Sequence, residues 1–484
     1  MQSSMQIPRS RSLVFLLVAL LAVVLVGCRR QGTTLERIRA ERTVRIGTDA
    51  TYPPFETVRA GQFSGFDVEL GSAVAGELGG KAEWVNTSFD GIFPALDAEK
   101  FDLVLSAVTI TEERKKRLLF SDPYYTAGQI VAIREGTEGV NGLQDLGGKL
   151  AGIQINTTAT EVLKKYPQIR VRQYPSLDLA LQDLENGNLT AVVGDAPTTK
   201  YFLAHGFSKL TTVGTLLTEE HYGIVMRAKD QELQQAVNTA LAKLRADGRF
   251  AALEAKWFGA EAQAAPVATG TPWMLIFRTL GVGLRLTLFL TALGLLFGLP
   301  LGLTVALLRM TKVRLIAWPF NGYVELFRGT PLLVQIIFIY YALPQLLGVN
   351  LPGMTAAILA LTLNSGAYIS EIFRAGIQSI DTGQMEAARS LGMTYAQGMR
   401  HVVLPQAVRR VLPPLTNEAI ALLKDSSLIS VIGMAELTRA GQELSSQLAI
   451  PLVVWPVVAL FYLAITFPLT RLAGLLERKW RVNA

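Results

Sequence analysis

Apolar positions fall into two regimes along this chain. Between residues 31 and 265 short apolar runs alternate with charged, helix-patterned stretches, whereas from 271 to 484 the runs lengthen to membrane size. In the first regime Val44-Arg45-Ile46-Gly47-Thr48, Phe101-Asp102-Leu103-Val104-Leu105, Leu150-Ala151-Gly152-Ile153 and Thr190-Ala191-Val192-Val193-Gly194 read as strands. Leu35 and Ile38 mark a helix start, and Phe66 to Leu78 reads as a helix. Strands alternating with helices predict α/β lobes with mainly parallel sheets, whose ligands bind beyond the carboxyl ends of the strands. In the second regime spans are expected at about 282–308, 329–348, 352–372, 411–435 and 451–475. A shorter apolar run, Leu13 to Val26, follows Arg9 and Arg11 and meets Gly27-Cys28. It is short for a stable span and reads as a secretory signal over 1–28.

Charge sharpens this division. The net charge of +7 suggests nucleic acid at first sight, but many of the basic residues flank the apolar spans. Arg309, Lys312 and Arg314 follow the first span; Arg389, Arg400, Arg409 and Arg410 lie between the third and fourth; Arg471, Arg478, Lys479 and Arg481 close the chain. Such clusters mark cytoplasmic ends. The opposite loops are poor in them, with none in Gly348 to Gly353 and Arg439 in 438–450. An exported first half therefore has span one running inward, and an odd number of spans puts the C-terminus inside. No zinc-finger spacing or aromatic RNA-binding signature appears, so nucleic acid is discarded. Cys28 is the only cysteine, so no intramolecular disulfide braces the exported half. Segment 263–273, with Ala264, Ala265, Pro266 and Gly270, reads as a short linker. No Gly-x-x-x-x-Gly-Lys-Ser/Thr loop occurs, and His205, His221 and His401 are scattered, so neither ATP hydrolysis nor a catalytic or metal site is expected within the chain, and no cofactor.

The motif Glu386-Ala387-Ala388, then Gly392, then Val402, Leu404 and Pro405 resembles the cytoplasmic coupling loop of ABC importer permeases, with Val402 in place of Ile. Ala387 and Ala388 permit close approach, Gly392 bends the chain and Pro405 ends the element. Phe327 to Gln335, Ala367 to Ile377 and Asn417 to Leu428 also resemble polar amino-acid permeases. The resemblance implies that residues 386–405 dock a separate ATPase, and that two permease halves, as a homodimer or with a similar subunit, enclose the path. Glu418, an ionisable residue early in span four, is a candidate for that path, its rival reading being an interfacial position.

The exported half carries a second resemblance. Gly47 to Glu56, Ser88 to Leu96, Asp102 to Lys116, Phe120 to Tyr125 and Val193 to Pro197 resemble, in order, blocks of periplasmic polar amino-acid-binding proteins. The resemblance implies that Arg114 holds an α-carboxylate bidentately, aided by N–H groups near Thr109 and Thr158. Asp195, the Thr109 hydroxyl and the Ala107 carbonyl would hold the α-ammonium, with Tyr52 and Phe89 enclosing the aliphatic stem. Asp49 and Glu56 suit a distal cation, whereas Gln154 suits an amide, so a polar or basic amino acid is expected. Asn156 stands where the family commonly has Gly. Plainer readings exist: Arg114 belongs to a charge run with Lys115, Lys116 and Arg117, Asp195 suits a helix cap, and Phe89 suits core packing. The stretches 126–133 and 219–226 read as connecting strands at a hinge.

Together these readings predict a two-lobed α/β periplasmic binding-protein fold followed by an all-α membrane permease domain of about five transmembrane helices. The binding domain is expected over 33–262, with lobe one at about 36–126 and 221–262 and lobe two at 127–220; the permease domain is expected over 274–484. Leu25-Val26-Gly27-Cys28 also resembles a bacterial lipoprotein cleavage box, which implies lipidation of Cys28, the rival being an uncleaved anchor. The expected setting is a bacterial inner membrane with the binding domain outside. A ligand-gated channel with the same ligand fold is the alternative; it needs a Thr-Val-Gly-Tyr-Gly-like filter, which is missing. A murein-cleaving enzyme with a similar sensor lobe would need a soluble catalytic domain where the chain has apolar spans.

Overall fold

The computed structural model describes residues 32–59, 62–259, 271–311, 313–349 and 351–480. The signal segment with Cys28 and residues 263–270 of the linker lie outside them.

Two five-stranded sheets form the first half. In the first, Lys81–Asn86, Thr43–Thr48 and Leu103–Val104 run parallel, and Val225–Arg227 with Leu118–Phe120 complete the sheet antiparallel. Val44 and Ile46 are fully buried while Thr43 before them and Arg45 between them are half-buried, the alternation of a strand with one core face. The second sheet orders Arg170–Tyr174, Leu150–Gln154, Ala191–Asp195, Gln129–Arg134 and Leu210–Val213. Ala191 to Asp195 is buried throughout, as a strand covered on both faces must be. Between the sheets, Tyr125–Ala127 pairs antiparallel with Glu220–Tyr222, so the chain passes from one lobe to the other and back through a single two-stranded ribbon. The carboxyl ends of Thr43–Thr48, Leu150–Gln154 and Ala191–Asp195 carry the residues that line the cleft between the lobes.

The second half is helical. Trp273–Arg309 packs along Gly353–Gln378 through a stripe of small residues. A Cβ at Gly298 would lie 2.3 Å from Ser365 Oγ, and one at Gly302 would lie 2.6 Å from Ile369 Cγ2. The Ser365 hydroxyl donates to the Gly294 carbonyl at 3.2 Å across the same contact. Close backbone approach of this kind is how helices associate where lipid removes the hydrophobic drive.

By length and composition, three described helices can cross a membrane, Trp273–Arg309, Gly353–Gln378 and Pro451–Leu475, or up to four with a bent pair. That pair corrects the span expected at 329–348. Arg314–Gly329 and Leu332–Leu347 meet at 110° across Thr330-Pro331, where the Gln335 amide donates to the Phe327 and Thr330 carbonyls at 2.8 and 3.0 Å. The span expected at 411–435 falls on Leu404–Asp425 and a 3-10 turn to Ile432. Arg409, Arg410, Glu418 and Lys424 keep it out of the apolar set, yet it packs against both Gly353–Gln378 and Pro451–Trp480, so its neighbours place it in the bundle. Thr382–Ser390 and Tyr395–Gly398 lie at the end of the bundle where Gly353–Gln378 finishes and Leu404–Asp425 begins. The first half sits at the other end. Lys100 Nζ donates there to the Leu351 carbonyl at 2.7 Å and lies 4.1 Å over the Tyr340 ring.

Candidate functional site

Asp49, Tyr52, Phe89, Ala107, Thr109, Arg114, Gln154, Thr158 and Asp195 line one cavity between the lobes, together with Ser106 and Thr157. Five separate chain segments deliver them, 49–52, 89, 106–114, 154–158 and 195. Arg114 rises from the short helix Glu112–Lys115, whose first turn is capped by the Thr111 hydroxyl. Its guanidinium leaves the neighbouring charge run and turns inward. Nη1 donates to the Thr109 carbonyl at 2.8 Å in lobe one and Nη2 to the Asn156 carbonyl at 2.9 Å in lobe two. Asn156 holds a φ of 62°, a left-handed conformation that asparagine tolerates, and so presents that carbonyl. The guanidinium also lies 5.4 and 5.9 Å from the Phe93 and Phe89 ring centres. Burial lowers its pKa, opposed by the charges of Asp195 and Glu220. The cation is thus held across the cleft, with a fork suited to a carboxylate.

Asp195 stands at the start of the helix Ala196–His205 but its side chain does not cap that helix. Its carboxylate instead accepts from the Gln129 amide and the Tyr222 hydroxyl, and its pKa is pushed up to about 6 by burial and the Glu220 charge. Glu220 Oε2 accepts from the Thr109 and Thr158 hydroxyls at 2.7 and 2.8 Å, and Oε1 from Thr218 Oγ1 at 2.9 Å. The Thr109 hydroxyl, expected on an α-ammonium, is therefore directed at a second carboxylate. Sequence reasoning missed Glu220, Gln129 and Tyr222. No local pattern marks Glu220: only the ribbon, which sets it opposite Ala127, carries it to the hinge beside Thr109 and Thr158. Two buried carboxylates next to a half-buried guanidinium form an environment that favours a zwitterion over a simple anion or cation.

The remaining side chains divide. Gln154 Nε2 reaches the Pro175 carbonyl at 3.4 Å, and its buried Oε1 has no partner among the described residues, so an acceptor faces the cavity. Asp49 accepts from the Phe89 N–H at 3.0 Å and the Thr51 hydroxyl at 2.9 Å. Burial raises its pKa, and Arg439 opposes the rise. Glu56, expected to face a distal cation, does not line the cavity: Ser106 Oγ donates to it at 2.8 Å, and it shares its far side with Asp67. Burial and the Asp67 charge push Glu56 well above the usual carboxylate range. Glu56 against Asp67, which in turn accepts from the Ala107 N–H at 2.8 Å and Tyr124 OH at 2.7 Å, props the Ser106-Ala107 turn from behind.

At the far end of the helical half, Asp381 Oδ1 caps Thr382–Ser390 by accepting from the Gly383 N–H at 2.7 Å. Gly392 then turns with a φ of 83°, and a capping box of Thr394 and Gln397 opens Tyr395–Gly398. Ala388 packs inward beside Met385 and Gly398. Glu386, Ala387, Leu404 and Pro405 face outward, and Leu391 and Tyr395 are 80% and 61% exposed, an apolar surface. Glu418 lies half-buried on Leu404–Asp425, away from this surface.

Residues 44–260 match the family model of bacterial extracellular solute-binding proteins, family 3. Residues 298–482 match that of the binding-protein-dependent transport system inner membrane component. The L-cystine transport system permease protein TcyB of Bacillus subtilis is 43% identical over 218 residues, covering 44% of this chain and 93% of that protein. The glutamine transport system permease protein GlnP of Escherichia coli is 42% identical over 205 residues, covering 41% and 92%. For the first half, the putative ABC transporter arginine-binding protein 2 of Escherichia coli is 35% identical over 242 residues, covering 49% of this chain and 98% of that protein.

Proposed function

The chain belongs to the family-3 extracellular solute-binding proteins through its first half and to the binding-protein-dependent inner membrane transport components through its second, and from that premise we infer how it works. It is an amino-acid importer subunit in which receptor and permease are one polypeptide. One observation carries the reading: a guanidinium held across the cleft stands beside two buried carboxylates, so an α-amino acid closing the lobes satisfies both charge signs at once. The α-carboxylate meets Arg114, the α-ammonium meets Asp195 with Glu220 behind it, and Tyr52 and Phe89 exclude water from the stem. The unpartnered Gln154 oxygen and Asp49 favour a polar or basic side chain over an aliphatic one. Fusion keeps the loaded receptor at a high effective concentration above its gate.

The motor is a separate ATPase, since the chain has no phosphate-binding loop of its own. It docks on the Glu386 to Pro405 surface, where Leu391 and Tyr395 offer apolar contact. Two copies of the chain enclose the path, with Glu418 facing it, and two ATPase subunits drive them. The receptor lies outside a bacterial inner membrane, the docking surface inside, with residues 1–28 exporting the receptor and Cys28 acylated.

Calorimetry of the full-length protein with a panel of amino acids tests the receptor assignment: tight binding of at least one polar or basic member is expected, and binding by none overturns it. For Glu418, substitution to Gln is expected to slow uptake with ligand affinity retained. Unchanged uptake removes it from the path.

A further inference from the structure

The helix Leu437–Leu448 of the permease half reaches both lobes of the receptor. Ser445 and Ser446 donate to the Asp178 carboxylate of lobe two at 2.9 and 3.0 Å. Arg439 Nη2 donates to Asn86 Oδ1 of lobe one at 2.6 Å and pairs with Asp49 Oδ1 at 3.2 Å. The Asn86 amide in turn donates to Glu443. The backbone fit is equally close. A Cβ at Gly433 would lie 1.7 Å from the Asn86 carbonyl oxygen, and one at Gly206 would lie 2.3 Å from the Ala449 Cβ. Arg439 is 1% exposed and is among the largest fully buried side chains of the molecule.

Its partner is the informative part. Asp49 lines the amino-acid cavity, and its other carboxylate oxygen holds the N–H of Phe89, a second residue of the cavity wall. Arg439 has a carboxylate of its own, since its Nε lies 3.3 Å from Glu443 Oε1 one turn along the helix. Among the described residues Asp49 does not: besides Arg439, it receives the uncharged Thr51 hydroxyl and Phe89 N–H. Docking therefore brings Asp49 a cation from outside the cavity. A basic amino acid brings the same carboxylate a cation from inside. Two cations sharing one buried carboxylate repel each other, and neither gains the full attraction. A neutral side chain is indifferent to that contest.

We propose that Arg439 sets side-chain selectivity and release: on the docked receptor it takes Asp49 and so loosens the hold on the distal cation of a basic amino acid, while neutral amino acids keep theirs. The inference rests on the amino-acid reading of the cavity and extends it to a residue of the permease half. A basic substrate is then released where the permease can accept it, by an ion-pair exchange that a free receptor would not make.

The test is calorimetry on the full-length protein in lipid nanodiscs with L-arginine, L-lysine and L-glutamine as probes. In Arg439→Gln the affinity for arginine and lysine is expected to rise about tenfold, with glutamine within about twofold, a coupling of ordinary size between two sites. In the background of Asp49→Asn the same Arg439 substitution is expected to change nothing. An equal shift for basic and neutral probes, or no shift for either, overturns the proposal. Should Arg439→Gln lose glutamine binding as well, Arg439→Met, which keeps an apolar stem in the buried position and removes the charge, takes its place. There a selective gain for the basic probes supports the proposal and a uniform change overturns it. If no probe binds even the unaltered chain, the amino-acid reading itself has failed, a result distinct from either.

Discussion

At the scale of single residues, the cavity is organised by charge that proteins normally avoid burying. Asp195 and Glu220 share hydroxyl-lined space behind the cleft, and burial, with the Glu220 charge beside it, raises the pKa of Asp195 to about 6 against an ordinary 3.8. The folded receptor therefore keeps a proton there that the unfolded chain has lost. Stability from this group is complete below pH 3.8 and is lost as pH rises to about 6. An incoming α-ammonium reverses the preference, because it favours the ionised form. Amino-acid binding near pH 6 is thus expected to release protons, seen as a binding enthalpy that varies with the ionisation enthalpy of the buffer, and to release none at pH 8. Glu220→Gln is expected to weaken amino-acid binding about tenfold to a hundredfold, the range of one charge-assisted hydrogen bond of about 1.5–3 kcal/mol. It should also move the proton release to lower pH, since the like charge beside Asp195 is gone. Retention of wild-type affinity in that variant would remove Glu220 from the ammonium site.

At the scale of elements, two devices recur: small residues where helices must touch, and a turn where a surface must bend. Gly302 faces Ile369 and the Gly366 carbonyl across the helix pair 273–309 and 353–378. Gly302→Leu is expected to lower the melting temperature of the purified protein in detergent, at a cost of about 1–3 kcal/mol typical of overpacking; an unchanged melting curve would show that the contact gives way freely. Gly392, with its φ of 83°, sits between Thr382–Ser390 and Tyr395–Gly398 and sets their relative direction. Gly392→Val forces a β-branched residue into left-handed backbone, worth about 1–2 kcal/mol of strain. The expected outcome is an amino-acid affinity within about twofold of the parent and a reduced amino-acid-stimulated ATPase rate in proteoliposomes containing the cognate ATPase. Parallel loss of both activities would argue that the turn serves folding and not the motor.

For the whole molecule, the receptor and the exposed Leu391–Tyr395 surface occupy opposite ends of the helical bundle. Helices 353–378 and 404–425 run between them, one from the Leu351 contact towards residues 382–398 and the other from those residues towards the Gly433 contact. Lys100, whose pKa burial lowers to about 8, is seated at the receptor end over Tyr340. If the bundle spans the bilayer, Leu216→Cys in lobe two and Leu391→Cys must lie on different sides. A membrane-impermeant maleimide is expected to label the first but not the second in right-side-out vesicles, and both after permeabilisation. Labelling of both in sealed vesicles would contradict the arrangement.

The two regimes of apolar spacing, the blocks around Tyr52, Phe89, Arg114 and Asp195, and the Glu386 to Pro405 motif are all legible in the sequence because each depends on residues close together in the chain. A strand end fixes where its own side chains point, and those residues do line one cavity. The pairs that complete the site are separated too far for any local pattern. Glu220 meets Thr109 across 111 residues, and Arg439 meets Asp49 across 390. The span expected at 411–435 omits the start of helix 404–425, because hydropathy counts Arg409 and Arg410 against it and packing accommodates them. Local patterning determined the elements and their chemistry; burial of unlike charges between distant elements was decided only when the chain closed on itself, because a carboxylate can be held in the interior only where folding brings it a partner.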